Sequence, residues 1–229
     1  MIVWEAPGPY RVGFTTRQGG VSGGVYSSLN LGSRGDEPQA VRENRRLACA
    51  QLGLDATRLA VNRQQHTATV NRARAGSTRV VGDGLWSDEP GLPLLALAAD
   101  CVPIAIVATS GRPALAVVHA GWRGLAGGVV GAAVAALGAP EAAAMIGPAI
   151  GPCCYEVGPE VSARFDPDLT RGGLLDLWEA SLRALRAAGV ANVQRAELCT
   201  RCNPALFFSY RRSGSAGYGV QGVIGALER

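Results

Sequence analysis

Leu94-Leu95-Ala96-Leu97-Ala98-Ala99-Asp100-Cys101-Val102-Pro103-Ile104-Ala105-Ile106-Val107-Ala108-Thr109 decides the fold of this chain, together with Ala114-Leu115-Ala116-Val117-Val118-His119 just beyond it. Residues 94–99, 104–109 and 114–119 form three apolar runs. Each is long enough for a strand, too short for an ordinary helix, and bounded by turn residues. The runs therefore predict adjacent, hairpin-like strands in the middle of the chain. The first ends in Asp100-Cys101 and the third in His119, so chemistry-bearing side chains sit at expected strand ends.

Working outward, further strands are expected at 10–14, 58–61, 69–71, 143–146, 193–198 and 219–224. Helices are expected at 39–52, 125–137, 159–165 and 174–188. The first follows Glu37-Pro38, carries Val41, Leu47 and Leu52 among charged residues, and meets Gly53; the last meets Gly189. Clustered strands with helices interspersed singly predict an α+β fold with central mixed sheets flanked by helices, not a doubly wound alternation. There is no polar linker, charge run or tandem repeat, so residues 1–229 are read as one domain.

Hydrophobic residues make up 48% and charged residues 17%, the balance of a chain that buries a large core. All 22 basic residues are arginine. The absence of lysine excludes a Schiff base, a P-loop lysine and a Ser-Lys dyad. A net charge of +4 with scattered arginines points to a solvated surface with an anion pocket, not to a nucleic-acid partner. The start of the chain has neither the basic region nor the apolar core of a signal peptide. Residues 124–140 are uncharged but shorter than the roughly 20 residues a membrane span needs, so no membrane partner is expected. Six cysteines without an export signal suggest reduced thiols and a cytoplasmic location.

The chain has two histidines, His66 and His119. With Cys101 they make a His₂Cys donor set that leaves one tetrahedral position open, the catalytic pattern for zinc; copper is the alternative. Taken singly, a histidine is more often a hydrogen-bonded core residue and a cysteine a small hydrophobe. Asp100, beside the ligand candidate, reads either as a proton-transfer group or as a carboxylate that pairs with an arginine or orients one of the histidines. Arg123 stands between a strand and a helix among Gly121, Gly124 and Gly127. Their G-x-x-G-x-x-G spacing is wrong for a dinucleotide site, but a helix start beside an arginine suits phosphate. Cys153-Cys154 and Cys199-x-x-Cys202 lack the two C-x₂-C pairs of a usual four-thiolate zinc site, which makes buried structural thiols the expectation.

Several motifs extend this reading. Asp100-Cys101-Val102-Pro103, His119-Ala120-Gly121-Trp122-Arg123-Gly124 and Ile146-Gly147-Pro148-Ala149-Ile150-Gly151-Pro152-Cys153-Cys154-Tyr155-Glu156-Val157-Gly158 resemble signatures of a bacterial family. So do Phe14-Thr15-Thr16-Arg17, Ser28-Leu29-Asn30-Leu31-Gly32, Asn44-Arg45 and Phe208-Ser209-Tyr210-Arg211-Arg212, and the resemblance spans nearly the whole chain. That family was first named multicopper polyphenol oxidases, or laccase-domain proteins, and is now regarded as zinc-dependent purine nucleoside phosphorylases. The resemblance implies a metal at His66, Cys101 and His119; Cys101, Asp100 and Arg123 are the catalytic candidates. Arg17, Asn44, Arg45 and Arg211 are polar residues in its motifs that either contact substrate or form structural ion pairs. The resemblance also implies nucleoside and phosphate as small-molecule partners, with adenosine deamination as a second activity. Rival readings are a copper-dependent polyphenol oxidase and a Cys/His hydrolase, including one that edits peptidoglycan precursors. At Ala216-Gly217-Tyr218 the chain departs from the family pattern, which suggests arginine in place of Tyr218.

Overall fold

The computed structural model describes residues 1–229 except Arg79 and the side chain of Ser215. The strands are β1 (Ile2–Trp4), β2 (Tyr10–Phe14), β3 (Ala60–Val61), β4 (Val70–Arg72), β5 (Gly84–Ser87), β6 (Leu94–Ala98) and β7 (Val102–Ala108). They continue as β8 (Leu115–Ala120), β9 (Ala142–Ile146), β10 (Thr170–Arg171), β11 (Leu174–Leu175), β12 (Asn192–Arg195) and β13 (Gln221–Leu227). The α-helices are α1 (Pro38–Ala50), α2 (Trp122–Ala126), α3 (Val129–Leu137), α4 (Pro159–Ser162), α5 (Leu177–Ala187) and α6 (Tyr210–Ser213).

Two mixed sheets form the centre: one of order β1-β2-β13-β6-β3, the other of order β12-β9-β7-β8-β5-β4. Antiparallel pairing dominates both. The parallel pairs are β3–β6 in the first sheet, and β4–β5 and β9–β12 in the second. The α+β expectation thus stands. The hairpin expectation holds for β7 and β8, which pair from Val102 opposite Ala120 to Val107 opposite Leu115. It does not hold for β6, which leaves that partner and lies beside β13 in the other sheet. The reason is the turn at Asp100, whose φ of 84° turns the chain from one sheet into the other.

Alternation along the strands assigns the layers. Leu94 and Ala96 of β6 meet Ala105 and Val107 of β7 and Leu115 and Val117 of β8 in the core between the sheets. Leu95 and Leu97 point the other way, with Ile224, onto Ala48, Cys49 and Leu52 of α1 and its C-terminal turn. Ile104, Ile106, Ala116 and Val118 pack outward against Val129, Val130 and Ala133 of α3 and Ala180 and Leu185 of α5. Truncating Leu115, which is fully buried, would cost about 2–5 kcal/mol.

The helix expected over 125–137 begins earlier, at Trp122, and is split. Gly128, at φ 88°, caps the start of α3 in the left-handed region that a side chain disfavours. The strands β1, β5 and β10 and helix α6 have no counterpart in the sequence reading. Leu174–Leu175, expected as the start of a helix over 174–188, instead form β11, with α5 starting at Leu177 after the Asp176 side chain caps it. No helix among the described residues is long and apolar enough to cross a membrane.

Candidate metal centre and active-site cavity

The turn that separates the sheets also presents Cys101. Asp100 is a buried non-glycine residue in the left-handed region, a conformation that persists only when neighbours hold it. They do. Its carboxylate accepts from Thr200 Oγ1 at 2.5 Å, Ser209 Oγ at 3.0 Å and the Arg211 backbone N–H at 2.7 Å. Its carbonyl accepts the Ile150 N–H at 2.9 Å. Asp100 therefore neither pairs with an arginine side chain nor orients a histidine, which corrects the sequence expectation. Its side chain is fully engaged in fixing the turn before Cys101.

The carboxylate that orients the histidines is Asp83, in Gly82-Asp83-Gly84 at the start of β5. It is 1% exposed, and five donors converge on its two oxygens. Oδ2 accepts from the N–H groups of Gln65 at 3.1 Å and Thr67 at 2.7 Å and from Thr67 Oγ1 at 2.8 Å. Oδ1 accepts from the His66 N–H at 3.0 Å and faces His119 Nδ1 at 2.8 Å. One buried acid thus shapes the loop that carries His66, whose own φ is 60°, and sets the ring of His119 on β8. Burial raises the Asp83 pKa, but the His119 ring and the Thr67 donors outweigh it and hold the group well below the usual carboxylate range.

With Nδ1 engaged by Asp83, His119 presents Nε2 to the thiol, as expected of a metal-ligating imidazole backed by a carboxylate. Cys101 Sγ lies 3.8 Å from His66 Nε2, and the ligand atoms of His66, Cys101 and His119 all lie within 4.8 Å of one another. Zinc–nitrogen distances of about 2.0–2.1 Å and zinc–sulphur distances of about 2.3 Å require separations of this order. A side chain at Gly121 would intrude: its Cβ would sit 2.6 Å from His66 Cδ2 and 3.0 Å from Cys101 Sγ. The three donors fit a thiophilic divalent ion. Without such an ion, burial opposes the Cys101 thiolate, yet His119 and His66 pull its pKa down to about 6. Burial likewise opposes charge on His119, and Cys101 with Asp83 lifts it to about 9.

These residues open onto a cavity of about 910 Å³, within the size range of small-molecule sites. Arg34, Arg123 and Arg211 line it, as do Tyr155, Tyr210 and Tyr218. Arg123 lies over the Trp122 ring at 4.3 Å and has no ion-pair partner among the described residues. Arg211 donates Nη1 to the Glu156 carbonyl at 3.0 Å. Tyr218 packs edge-on to Tyr210, with ring centroids 5.2 Å apart.

Of the four motif residues open to substrate contact, only Arg211 faces this cavity. Arg17 donates to the carbonyls of Ser27 and Pro204 and lies over the Phe208 ring at 4.5 Å. Asn44 is fully buried; it accepts from the Val21 N–H and donates to Ser22 Oγ and the Asn30 carbonyl. Arg45 donates Nε to the Leu31 carbonyl. These three brace the segment 17–36 from behind, and that segment sends Tyr26, Asn30 and Arg34 to the cavity wall. Sequence reading missed Asp83, Arg34 and Tyr26; it had Tyr155 and Tyr210 in view within motifs and Tyr218 as a departure from the family pattern, without a stacking role. An acid between two glycines is the one signal that could have marked Asp83, and nothing in periodicity marks the others.

The family model described as multi-copper polyphenol oxidoreductase laccase matches residues 11–226. A purine nucleoside phosphorylase of Pseudomonas aeruginosa is 40% identical over 93% of this chain and 93% of its own length. The purine nucleoside phosphorylase YlmD of Geobacillus stearothermophilus is 40% identical over 94% of this chain and 90% of its own. The crystal structure of YlmD superposes with a TM-score of 0.90 at 36% identity, covering 99% of this chain and 94% of that one. A Neisseria meningitidis protein of solved structure gives a TM-score of 0.89 at 37% identity, covering 99% and 97%. Sequence and fold agree: the chain belongs to the multi-copper polyphenol oxidoreductase laccase family, alongside these proteins named purine nucleoside phosphorylase.

Proposed function

We propose that this chain is an enzyme that cleaves the N-glycosidic bond of purine nucleosides with inorganic phosphate, releasing the base and ribose 1-phosphate. The observation that carries the reading is the cavity, where three arginines and four tyrosines share the lining with the His66, Cys101 and His119 donor set. Relatives named purine nucleoside phosphorylase, at 33–40% identity over nearly the whole chain, support it. Adenosine, inosine, guanosine and methylthioadenosine are the proposed substrates, with adenosine deamination as a second activity of the same cavity. Cytoplasmic placement suits the six free cysteines.

Phosphorolysis exchanges a C1′–N bond for a C1′–O bond, and the protein must hold a phosphate dianion in line with that carbon. Arg123 and Arg211 are the proposed phosphate clamp, and Arg34 is a third guanidinium on the same lining. Guanidinium groups match phosphate oxygens in geometry and charge. The faces of Tyr155, Tyr210 and Tyr218 suit stacking with a purine. His66, Cys101 and His119 are the proposed zinc ligands, a mixed nitrogen and sulphur set of the borderline softness that zinc takes. A zinc ion there would supply Lewis acidity towards a phosphate oxygen or the departing purine. Asp83 holds both histidines in place, and Asp100 with Thr200 and Ser209 holds the turn that presents Cys101. Two histidines cannot supply the several imidazoles of each multicopper centre, which disfavours the oxidase reading.

Base release from a nucleoside panel, followed with and without inorganic phosphate and with and without oxygen, tests this. Turnover should require phosphate and ignore oxygen. Full-rate base release without phosphate would replace the phosphorylase with a hydrolase.

One observation favours a second reading. Asp83, His119 and Cys101 stand in the order orienter, base and nucleophile of a cysteine hydrolase. Such an enzyme would survive chelation and die on thiol alkylation, whereas the zinc enzyme loses activity to a chelator.

A further inference from the structure

Four of the six cysteines gather outside the cavity. Their spacing, a vicinal pair and a C-x₂-C pair 45 residues further on, led to the expectation of buried thiols. Cys154 and Cys199 are buried, but Cys153 and Cys202 are exposed, which corrects half of that expectation. The fold unites the two pairs. A parallel bridge joins Ala149 to Cys199, with the Ala149 N–H donating to the Leu198 carbonyl at 3.3 Å and the Thr200 N–H to the Ala149 carbonyl at 3.0 Å. A tight turn in which the Cys154 N–H donates to the Gly151 carbonyl at 2.9 Å then folds the vicinal pair back over the C-x₂-C loop.

We propose that Cys153, Cys154, Cys199 and Cys202 form a second, structural zinc site. All four sulphurs lie within 4.8 Å of one another, with Cys154 Sγ 3.4 Å and Cys153 Sγ 3.7 Å from Cys202 Sγ. Four thiolates about 2.3 Å from one zinc ion stand about 3.8 Å apart, the edge of the coordination tetrahedron. A disulfide needs about 2.05 Å and would draw the sulphurs into pairs. The cluster instead shares Cys202 between two neighbours. The Gly151 N–H donates to Cys199 Sγ at 3.3 Å, a contact that favours the ionised sulphur a metal requires. Ile150, Tyr155 and Trp178 pack around the buried pair, Cys154 and Cys199, while four thiolates would fill every position of a tetrahedral ion and leave none for substrate. A full tetrathiolate set is the structural, not the catalytic, form of zinc.

Binding is an exchange: zinc enters, the thiols release their protons to solvent, and no electron moves. The consequence reaches the first site. Thr200 lies inside the C-x₂-C loop and donates to Asp100, the residue before Cys101. Arg212 donates to the Thr200 carbonyl at 2.9 Å and the Arg201 carbonyl at 3.1 Å, tying the loop to α6. A metal clamp on that loop stiffens the support of the Cys101 turn.

Zinc content of the full chain, purified under reductant with zinc and then dialysed, tests the proposal. The wild-type chain should hold about two zinc ions and Cys101→Ala about one. X-ray absorption at the zinc edge of Cys101→Ala should then show four sulphur ligands at about 2.3 Å. The double variant Cys153→Ser, Cys202→Ser should lose this ion and keep the one proposed for the cavity. Should Cys101→Ala fail to fold, the wild-type spectrum still decides, since five sulphurs shared by two ions differ from one sulphur on one ion. A Cys101→Ala chain without tightly held zinc, a zinc-edge spectrum with nitrogen or oxygen in place of the four sulphurs, or a disulfide among these cysteines under reductant would overturn the proposal.

Discussion

Asp83 Oδ1 lies 2.8 Å from His119 Nδ1, and the same oxygen accepts the backbone N–H of His66 at 3.0 Å. One carboxylate oxygen therefore fixes both histidines of the donor set, one through its ring and one through its main chain. Metal affinity at the proposed site should therefore depend on Asp83, which is not itself one of the three donors.

Asp83→Asn should expose that dependence. An amide offers one oxygen where the site presents donors to two, so its NH₂ group must face either the His119 and His66 donors or those of Gln65 and Thr67. Stranding buried donors costs about 1–3 kcal/mol each. Losing the partner of a ligating histidine typically weakens metal binding roughly 10–100-fold. Zinc competition with a chromogenic chelator, alongside thermal unfolding, gives both numbers. Wild-type affinity together with a wild-type melting temperature would show that Asp83 is dispensable.

The metal-stripped protein should carry an unusually acidic thiol. Cys101 titrates at about 6 instead of the ordinary 9.0 because His119 and His66 outweigh the cost of burial. The sign is that of a depressed acid: the thiolate persists above about pH 6 and is lost as pH falls through that value. Iodoacetamide labelling, read on the peptide that contains Cys101, should rise with pH through a midpoint near 6. His119→Gln should move the midpoint upwards. Chelator-free, zinc-loaded protein should resist labelling at every pH. A midpoint at 9.0 in stripped wild-type protein would mean that the imidazoles do not act on this sulphur.

How much of this was legible in the sequence differs from residue to residue. The β7–β8 hairpin and the α+β class could be read from local apolar runs, because strand periodicity is a local property. The departure of β6 into the other sheet could not, since a positive φ at Asp100 is sustained by Thr200 and Ser209 from a hundred residues away. His66, Cys101 and His119 were legible because histidine is scarce and motif resemblance marked them. Asp83 was not, because its role depends on a loop folding around it. Arg17, Asn44 and Arg45 were open in the sequence between substrate contact and structural pairing, and the fold commits their donors to backbone carbonyls and a hydroxyl.

Arg123 and Arg17 should separate accordingly. Arg123 has no charged partner among the described residues and lines the cavity, so Arg123→Ala removes an anion contact and little structure. A charge-assisted hydrogen bond contributes about 1.5–3 kcal/mol, which predicts a roughly tenfold to hundredfold rise in the Michaelis constant for phosphate. The constant for nucleoside should change much less. Arg17→Ala should lower the melting temperature without this selectivity. Equal effects of Arg123→Ala on both constants would assign it to packing.

Asp100 separates positioning from proton transfer. Asparagine tolerates the left-handed region and keeps one acceptor, so Asp100→Asn should lose about 1–3 kcal/mol from the donor it strands among Thr200, Ser209 and the Arg211 N–H. Alanine keeps no acceptor and adds backbone strain of about 1–2 kcal/mol at φ 84°. Melting temperatures should therefore fall in the order wild type, Asp100→Asn, Asp100→Ala. Zinc affinity should fall in the same order, because Cys101 rides on the turn that Asp100 secures. A proton-transfer group would behave differently: Asp100→Asn would melt like wild type, bind zinc like wild type, and lose one limb of the pH–rate profile. That pattern would move Asp100 from the scaffold to the chemistry, whereas a graded loss of stability and metal affinity keeps it as the support of Cys101.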